Sequence, residues 1–266
     1  MKKNFIFVLL LPFLIWFINA CNSDGNISET PSTWKTGKKP NTSNEWHQAS
    51  WSNSIFVILE NDSVTATTDF EKKQNPTSYY IIPDKKSCRC SSCNGTMIGW
   101  GHGEWGGGII FIPIETDVFP EYRVMSENFF SFYRIGDRIF ALTGLAHLGS
   151  SRGSIYELVV VGETFEDRWE AVKILDIQYA PETFLLVNED LYIATSNTLI
   201  IVKNGEISDI LIENAGWGTL YPDSMVYANN SIFVGMRGWI CEYDLDTRTE
   251  KWYDFLDECG TITPPG

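Results

Sequence analysis

A two-residue apolar step, Ile55-Phe56, opens a hairpin-like pattern that returns at Met97-Ile98, Ile139-Phe140, Leu191-Tyr192 and Ile232-Phe233. The intervals are 42, 42, 52 and 41 residues, and no other feature constrains the fold of this chain as tightly. Three units align over a strand, a polar turn and a second strand ending in a small residue: "FYRIGDRIFALTG", "FLLVNEDLYIATS" and "MVYANNSIFVGMR". The unit at Met97 is less regular, and the one at Ile55 is the weakest. The longer step is assigned to a loop insertion, "GLAHLGSSRGS", between two strands.

Between these openings the chain reads as strand. Runs such as "SIFVIL", "GIIFIP" and "SIYELVVV" are dense in β-branched and aromatic residues and are separated by Gly, Asn and Asp turns. The best helical competitor, "ETFEDRWEAVKIL", fits a strand equally well through Trp169, Val172, Ile174 and Leu175, so little helix is expected. An all-β chain that repeats near 42 residues predicts a β-propeller of about five four-stranded blades over residues 46–266. Six blades or a β-sandwich are the alternatives. Closure is expected from a strand near "EWHQASW" pairing beside "EKWYDFL", which places both chain ends in one blade.

The first twenty residues, "MKKNFIFVLLLPFLIWFINA", set two lysines before thirteen apolar positions, Phe5 to Phe17. That is a secretory signal, too short for a membrane helix and interrupted by Pro12. Ile18-Asn19-Ala20-Cys21 resembles a bacterial lipobox. The resemblance implies cleavage before Cys21, lipid chains on that cysteine, and a lipoprotein of the bacterial cell envelope facing the periplasm or the cell surface. Residues 21–45 have the composition of a solvated tether.

Removing Lys2 and Lys3 with the signal takes the formal charge from −14 to −16. Such a surface repels phosphate backbones, so nucleic acid is not an expected partner. The expected partners are the membrane, through the lipid, and an anionic or glycan ligand or a protein; the chain is read as a monomer. Setting Cys21 aside leaves Cys88, Cys90, Cys93, Cys241 and Cys259. "CRCSSC" with His102 has the makings of a metal site but lacks a second Cys pair, so no metal and no cofactor is expected. Export favours disulfides, and Cys241 with Cys259 is the expected staple of the last blade; a bond from "CRCSSC" to Cys259 is the rival.

The densest stretch for chemistry is "GWGHGEWGGG", Gly99 to Gly108. In register with the other units it sits at a hairpin tip, where "GLAHLGSSRG", "TSNT" and "MRGW" stand elsewhere. Its glycines suit a tight turn or close backbone approach, but a turn needs none of Trp100, His102, Glu104 and Trp105. Equivalent tips of a propeller gather on one face. His102, Glu104 and Trp105 would then meet His147, Arg152, Asn197, Arg237 and Trp239 around one cavity, offering cations to an anion and flat rings to a sugar. Binding without catalysis is the leading reading. A glycan hydrolase or lyase using Glu104 and a second carboxylate, with Asp62 as one candidate, is the first alternative, and an immunity or inhibitor protein the second. No catalytic motif identifies further residues, so the catalytic set is unknown.

Overall fold

The computed structural model describes residues 34–72, 79–82, 93–162 and 167–255. A short strand β1 (Thr36–Gly37) and a helix α1 (Ser43–Ser50) precede a hairpin of β2 (Phe56–Glu60) and β3 (Ser63–Thr67). Three four-stranded meanders follow in chain order. The first is β4 (Tyr79–Ile82), β5 (Gly95–Gly101), β6 (Gly107–Pro113) and β7 (Tyr122–Met125). The second is β8 (Phe129–Ile135), β9 (Arg138–His147), β10 (Ser150–Val161) and β11 (Arg168–Ile177). The third is β12 (Pro181–Val187), β13 (Asp190–Thr195), β14 (Leu199–Lys203) and β15 (Glu206–Ile212). The last sheet is β16 (Ser224–Ala228), β17 (Ser231–Met236), β18 (Trp239–Asp244) and β19 (Thr249–Asp254), with β1 added outside β19. The fold is therefore all-β, built among the described residues from five small antiparallel sheets, with α1 as its α-helix.

The apolar runs of β9, β13 and β17 are continuous because their sheets are buried on both faces. Successive residues of a strand point to opposite sides, so each run feeds two cores. On β9, Ile139 and Ala141 pack toward the first meander, while Phe140 and Leu142 pack toward the third. On β13, Leu191 and Ile193 share that second core, and Tyr192 and Ala194 face the last sheet. On β17, Ile232, Val234 and Met236 complete this third core, and Phe233 turns to the β2–β3 hairpin. The sheets thus stack in chain order, and the hairpin from the start of the chain packs on the sheet from its end.

Chain-end mixing is present, but a different segment provides it. Thr36 and Gly37 pair with Tyr253 and Trp252, while "EWHQASW" falls largely in α1. The helix begins with a capping box: Thr42 Oγ1 accepts from the Glu45 amide at 3.2 Å, and Glu45 Oε2 accepts from the Thr42 amide at 3.0 Å. Trp34 is buried against Tyr253 and Phe255, so packed structure is already present at residue 34, within the segment expected as a tether up to residue 45.

Two further expectations shift. The 52-residue step is no loop insertion: its extra residues lengthen β9 and β10 into a ribbon that pairs from Leu158 with Ile139 out to Ser150 with His147. The weak first unit is out of register by one strand. Ile55-Phe56 opens β2, which runs as the first strand of its sheet, whereas the other four openings lie in second strands.

Disulfide pairing also departs from expectation. Cys241 is a free thiol, fully buried in the core between the third meander and the last sheet, and burial pushes its pKa up. Its position in mid-strand, opposite Val234 and Trp252, turns the sulfur inward. Cys259, Cys88, Cys90 and Cys21 lie outside the described residues; Cys93 is buried, 3.9 Å from the Asp167 carbonyl.

Candidate functional site

In an antiparallel meander the first and third turns share one end and the second turn the other. The second turns here are Gly101–Gly107, His147–Ser150, Thr195–Leu199 and Met236–Trp239. Hydrogen bonds carry this end from sheet to sheet. Gly144 N–H donates to the Asn128 carbonyl at 2.9 Å, Ala180 N–H to Ser151 Oγ at 2.8 Å, Ala215 N–H to the Asn197 carbonyl at 2.7 Å, and Arg237 N–H to the Leu220 carbonyl at 2.9 Å. His102, His147, Asn197 and Arg237 therefore occupy one end, hereafter the tip end. Asp62 lies between β2 and β3 at the opposite end, because β2 leaves the tip end, where Ser54 bridges Arg237.

The glycines of "GWGHGEWGGG" serve the backbone. A Cβ on Gly99 would sit 2.4 Å from the Phe129 ring, so only glycine lets β5 pass this close to β8, and Gly106 turns the chain with a φ of 85°. Residues Gly103–Trp105 form a 3-10 turn, closed by the His102 amide on the Gly106 carbonyl at 2.8 Å. His102 and Glu104 are thus on a turn, and strand alternation does not align them. Glu104 Oε2 instead reaches across to His147 Nε2 at 2.8 Å, tying the tips of two neighbouring sheets.

Beside this clasp a cleft of about 500 Å³ opens between the first and second meanders. Trp100, Glu104, Trp105, Arg123, Glu127 and Arg152 line it. Trp105 is 84% exposed. The Arg123 guanidinium lies 5.6 Å from the centre of the Trp100 ring and donates to Ser126 Oγ at 3.3 Å. Arg152 is exposed and has no hydrogen-bond or carboxylate partner among the described residues. In the wall, Asn128 Oδ1 is a buried acceptor without a partner among the described residues. The cleft thus offers one indole face, one engaged and one unengaged guanidinium, and two exposed carboxylates.

Three expected members stand apart from this cleft. Asn197 holds connections: its Nδ2 donates to the Tyr179 hydroxyl at 3.3 Å, and its Oδ1 accepts from Gly216 N–H at 3.2 Å. Arg237 fastens α1, donating from Nη1 to the Ser50 carbonyl at 2.7 Å while its guanidinium sits 4.4 Å from the Tyr221 ring centre. Trp239 is 5% exposed and packs on Trp252, so it belongs to the core and is closed to a ligand. His102 is exposed beside Glu104 but outside the cleft lining. One cavity shared by all these residues is therefore replaced by a cleft that holds Glu104, Trp105 and Arg152, with His147 at its edge.

Sequence reasoning missed Arg123 and Glu127. They lie on β7 and on the link to β8, away from any hairpin opening, and carry no local signal. It also missed Glu182, on β12 near the tip end. Burial, with the negative charge of Asp223 as a second cause, pushes the Glu182 carboxyl up to about 7. Asp223 in turn accepts from Ser54 Oγ at 2.5 Å. Among the described residues no three His, Cys, Asp or Glu side chains converge as metal ligands. No helix among them is long and apolar enough to cross a membrane. The sequence matches no protein-family model and is detectably similar to no curated protein.

Proposed function

We propose that this protein is a lipid-anchored five-bladed β-propeller of the bacterial cell envelope that binds, without transforming, an anionic ligand in the tip-end cleft. The propeller reading is supported by four sheets stacked face to face in chain order, with the first hairpin on the last of them, and by the packing of β2 on β16 and of β16 on β12. One observation carries the binding reading: Arg152, a guanidinium without a partner among the described residues, shares the cleft with the exposed indole of Trp105. An unengaged arginine recognises a carboxylate or phosphate, and a flat ring beside it takes an apolar or saccharide face.

Titration with a glucuronic-acid oligosaccharide, with glycerol phosphate and with a neutral glucose oligosaccharide, read by calorimetry, tests this. Arg152→Ala should weaken the anionic probes by about 1.5–3 kcal/mol, the range for a hydrogen bond to a charged group, and leave the neutral one unchanged. Anionic binding that is indifferent to both Arg152→Ala and Trp105→Ala would remove the proposal.

A second reading, cleavage of an envelope glycan, draws on Glu182. A carboxyl held protonated near neutrality beside a second acid suits a general acid, whereas Glu104 and Glu127 are solvent-exposed and Glu104 is engaged with His147. Turnover of the oligosaccharide that disappears in Glu182→Gln would favour it.

A further inference from the structure

The chain enters the fold at the tip end. Strand β19 runs toward that end, where Phe255 N–H donates to the Gly238 carbonyl at 2.9 Å. Because β1 is antiparallel to β19, its leading residues lie there too: Lys35 accepts from Asp254 N–H at 3.0 Å, and Trp34 precedes it. Twelve residues, 22–33, separate Cys21 from Trp34, and twelve residues cannot span more than about 40 Å. Strands of about six residues are roughly 20 Å long, so a lipid on Cys21 starts nearest the tip end and would spend much of that reach to present the opposite one.

The same end carries two large apolar side chains that packing leaves out. Trp105 is 84% exposed and Leu148, on the neighbouring tip, is 92% exposed. Leu148 also holds a φ of 46°, a left-handed conformation that a leucine adopts only at a cost. Neither residue supports the core, and the clasp of Glu104 with His147 sets the two tips side by side. Around them stand Arg123 and Arg152, with His102 and His147, against Glu104 and Glu127. The far-end turns carry Asp62, Asp137, Glu189, Asp190, Asp244 and Asp246 together with cations, Arg134 paired to Asp137, Lys203 paired to Asp190, and Arg248 in the last turn. With Glu104 held by His147, Arg152, which has no partner among the described residues, is the group at this rim that can meet an anionic headgroup.

We infer that the tip end docks on the anionic bilayer surface in which Cys21 is anchored, with Trp105 and Leu148 entering the interface and Arg152 and Arg123 meeting headgroup phosphates. The inference deepens the binding reading above by naming the source of the anion, and it rests on that reading of the cleft and of the N-terminus. Two side chains and two arginines bind a membrane weakly by themselves. The tether supplies the effective concentration that makes weak contacts count.

The test uses the mature chain reconstituted into vesicles carrying brominated acyl chains, of phosphatidylglycerol or of phosphatidylcholine. Tryptophan quenching should be at least twofold greater in phosphatidylglycerol, and Trp105→Phe should remove most of that excess. Leu148→Asp and Arg152→Glu, both at exposed positions, should each bring quenching to the phosphatidylcholine level. Equal quenching in both lipids, or quenching that Trp105→Phe leaves intact, overturns the docking surface. Binding of the glucuronic-acid oligosaccharide without quenching in phosphatidylglycerol assigns the cleft to a glycan and overturns it too, while the binding reading survives. The intact mass reports the anchor separately. An unmodified Cys21 overturns the proposal, because the weak contacts of the tip end count only when the tether supplies their effective concentration.

Discussion

The two ends of the sheets solve the same problem, reversing a strand, with different residues. At the far end the turns are Asn61-Asp62, Asn188-Glu189, Asn229-Asn230 and Asn204-Gly205, all with positive φ. Asn, Asp and Gly tolerate this conformation, and its twist matches that of the strands. At the tip end the second meander places Leu148 with Gly149 in the same kind of turn, and the first meander inserts a 3-10 turn bearing Trp105. The far end is written by backbone requirements. The tip end holds a leucine in a left-handed turn and an exposed tryptophan on a 3-10 turn where the backbone would prefer small polar residues, whereas the apolar side chains exposed at the far end, Ile114 and Val118, lie on the longer β6–β7 link.

The largest expected effect separates two tryptophans of the tip end. Trp217 is fully buried, and its Nε1 donates to the Thr195 carbonyl at 2.6 Å. Trp217→Ala should cost about 3–5 kcal/mol in urea unfolding, and Trp105→Ala less than about 0.5 kcal/mol. Comparable losses at the two sites would mean that the exposed indole is structural after all.

Next comes Glu182, whose burial distinguishes the inner part of the tip end from its rim. Its carboxyl binds a proton up to about pH 7 in the folded chain against an ordinary value of 4.5, so the folded state holds more protons across that window and stability falls as pH rises through it. Glu182→Gln should therefore raise stability by about 2 kcal/mol at pH 8 and leave it unchanged near pH 4. Thermal melts of both chains across that range check the sign; a variant destabilised at pH 8 would show that the charged form is the favoured one.

The smallest effect bears most directly on the contrast between ends. Asn230→Ala should destabilise by about 1 kcal/mol, because alanine resists the left-handed φ of 59° held there. Leu148→Asn should do the reverse and stabilise by about 0.5–1 kcal/mol, since asparagine relieves the strain and no packing is lost. If Leu148→Asn destabilises instead, the leucine is held by contacts of the fold and not by selection for a surface.

Much of the architecture was legible before the coordinates. The all-β class and four of the five hairpin openings follow from apolar runs and Asn-rich turns, because local propensity and two-sided burial write themselves into adjacent residues. The first unit was misread because β2 and β3 are both short, and a period cannot tell a first strand from a second. The helix α1 was missed although Thr42 and Glu45 spell a capping box, because "EWHQASW" was read as the closing strand. Of the candidate site, Glu104, Trp105, His147 and Arg152 were found from their register at the tips, and the structure brings them to one clasp and one cleft.

By itself, then, the sequence determined which segments become strands and where the sharp turns fall. These depend on neighbours within a few positions, or on a repeat that can be counted. Only the tertiary structure decided which of those residues are free to act. Trp239 and Trp105 are equivalent as letters, yet one is sealed against Trp252 and the other stands in solvent. Arg237 and Arg152 are equally basic, yet the first is spent on the Ser50 carbonyl and the Tyr221 ring, and the second has no partner among the described residues. Availability is set by what lies across a sheet interface, tens of residues away in the chain, and pairings at that distance leave no trace in local composition.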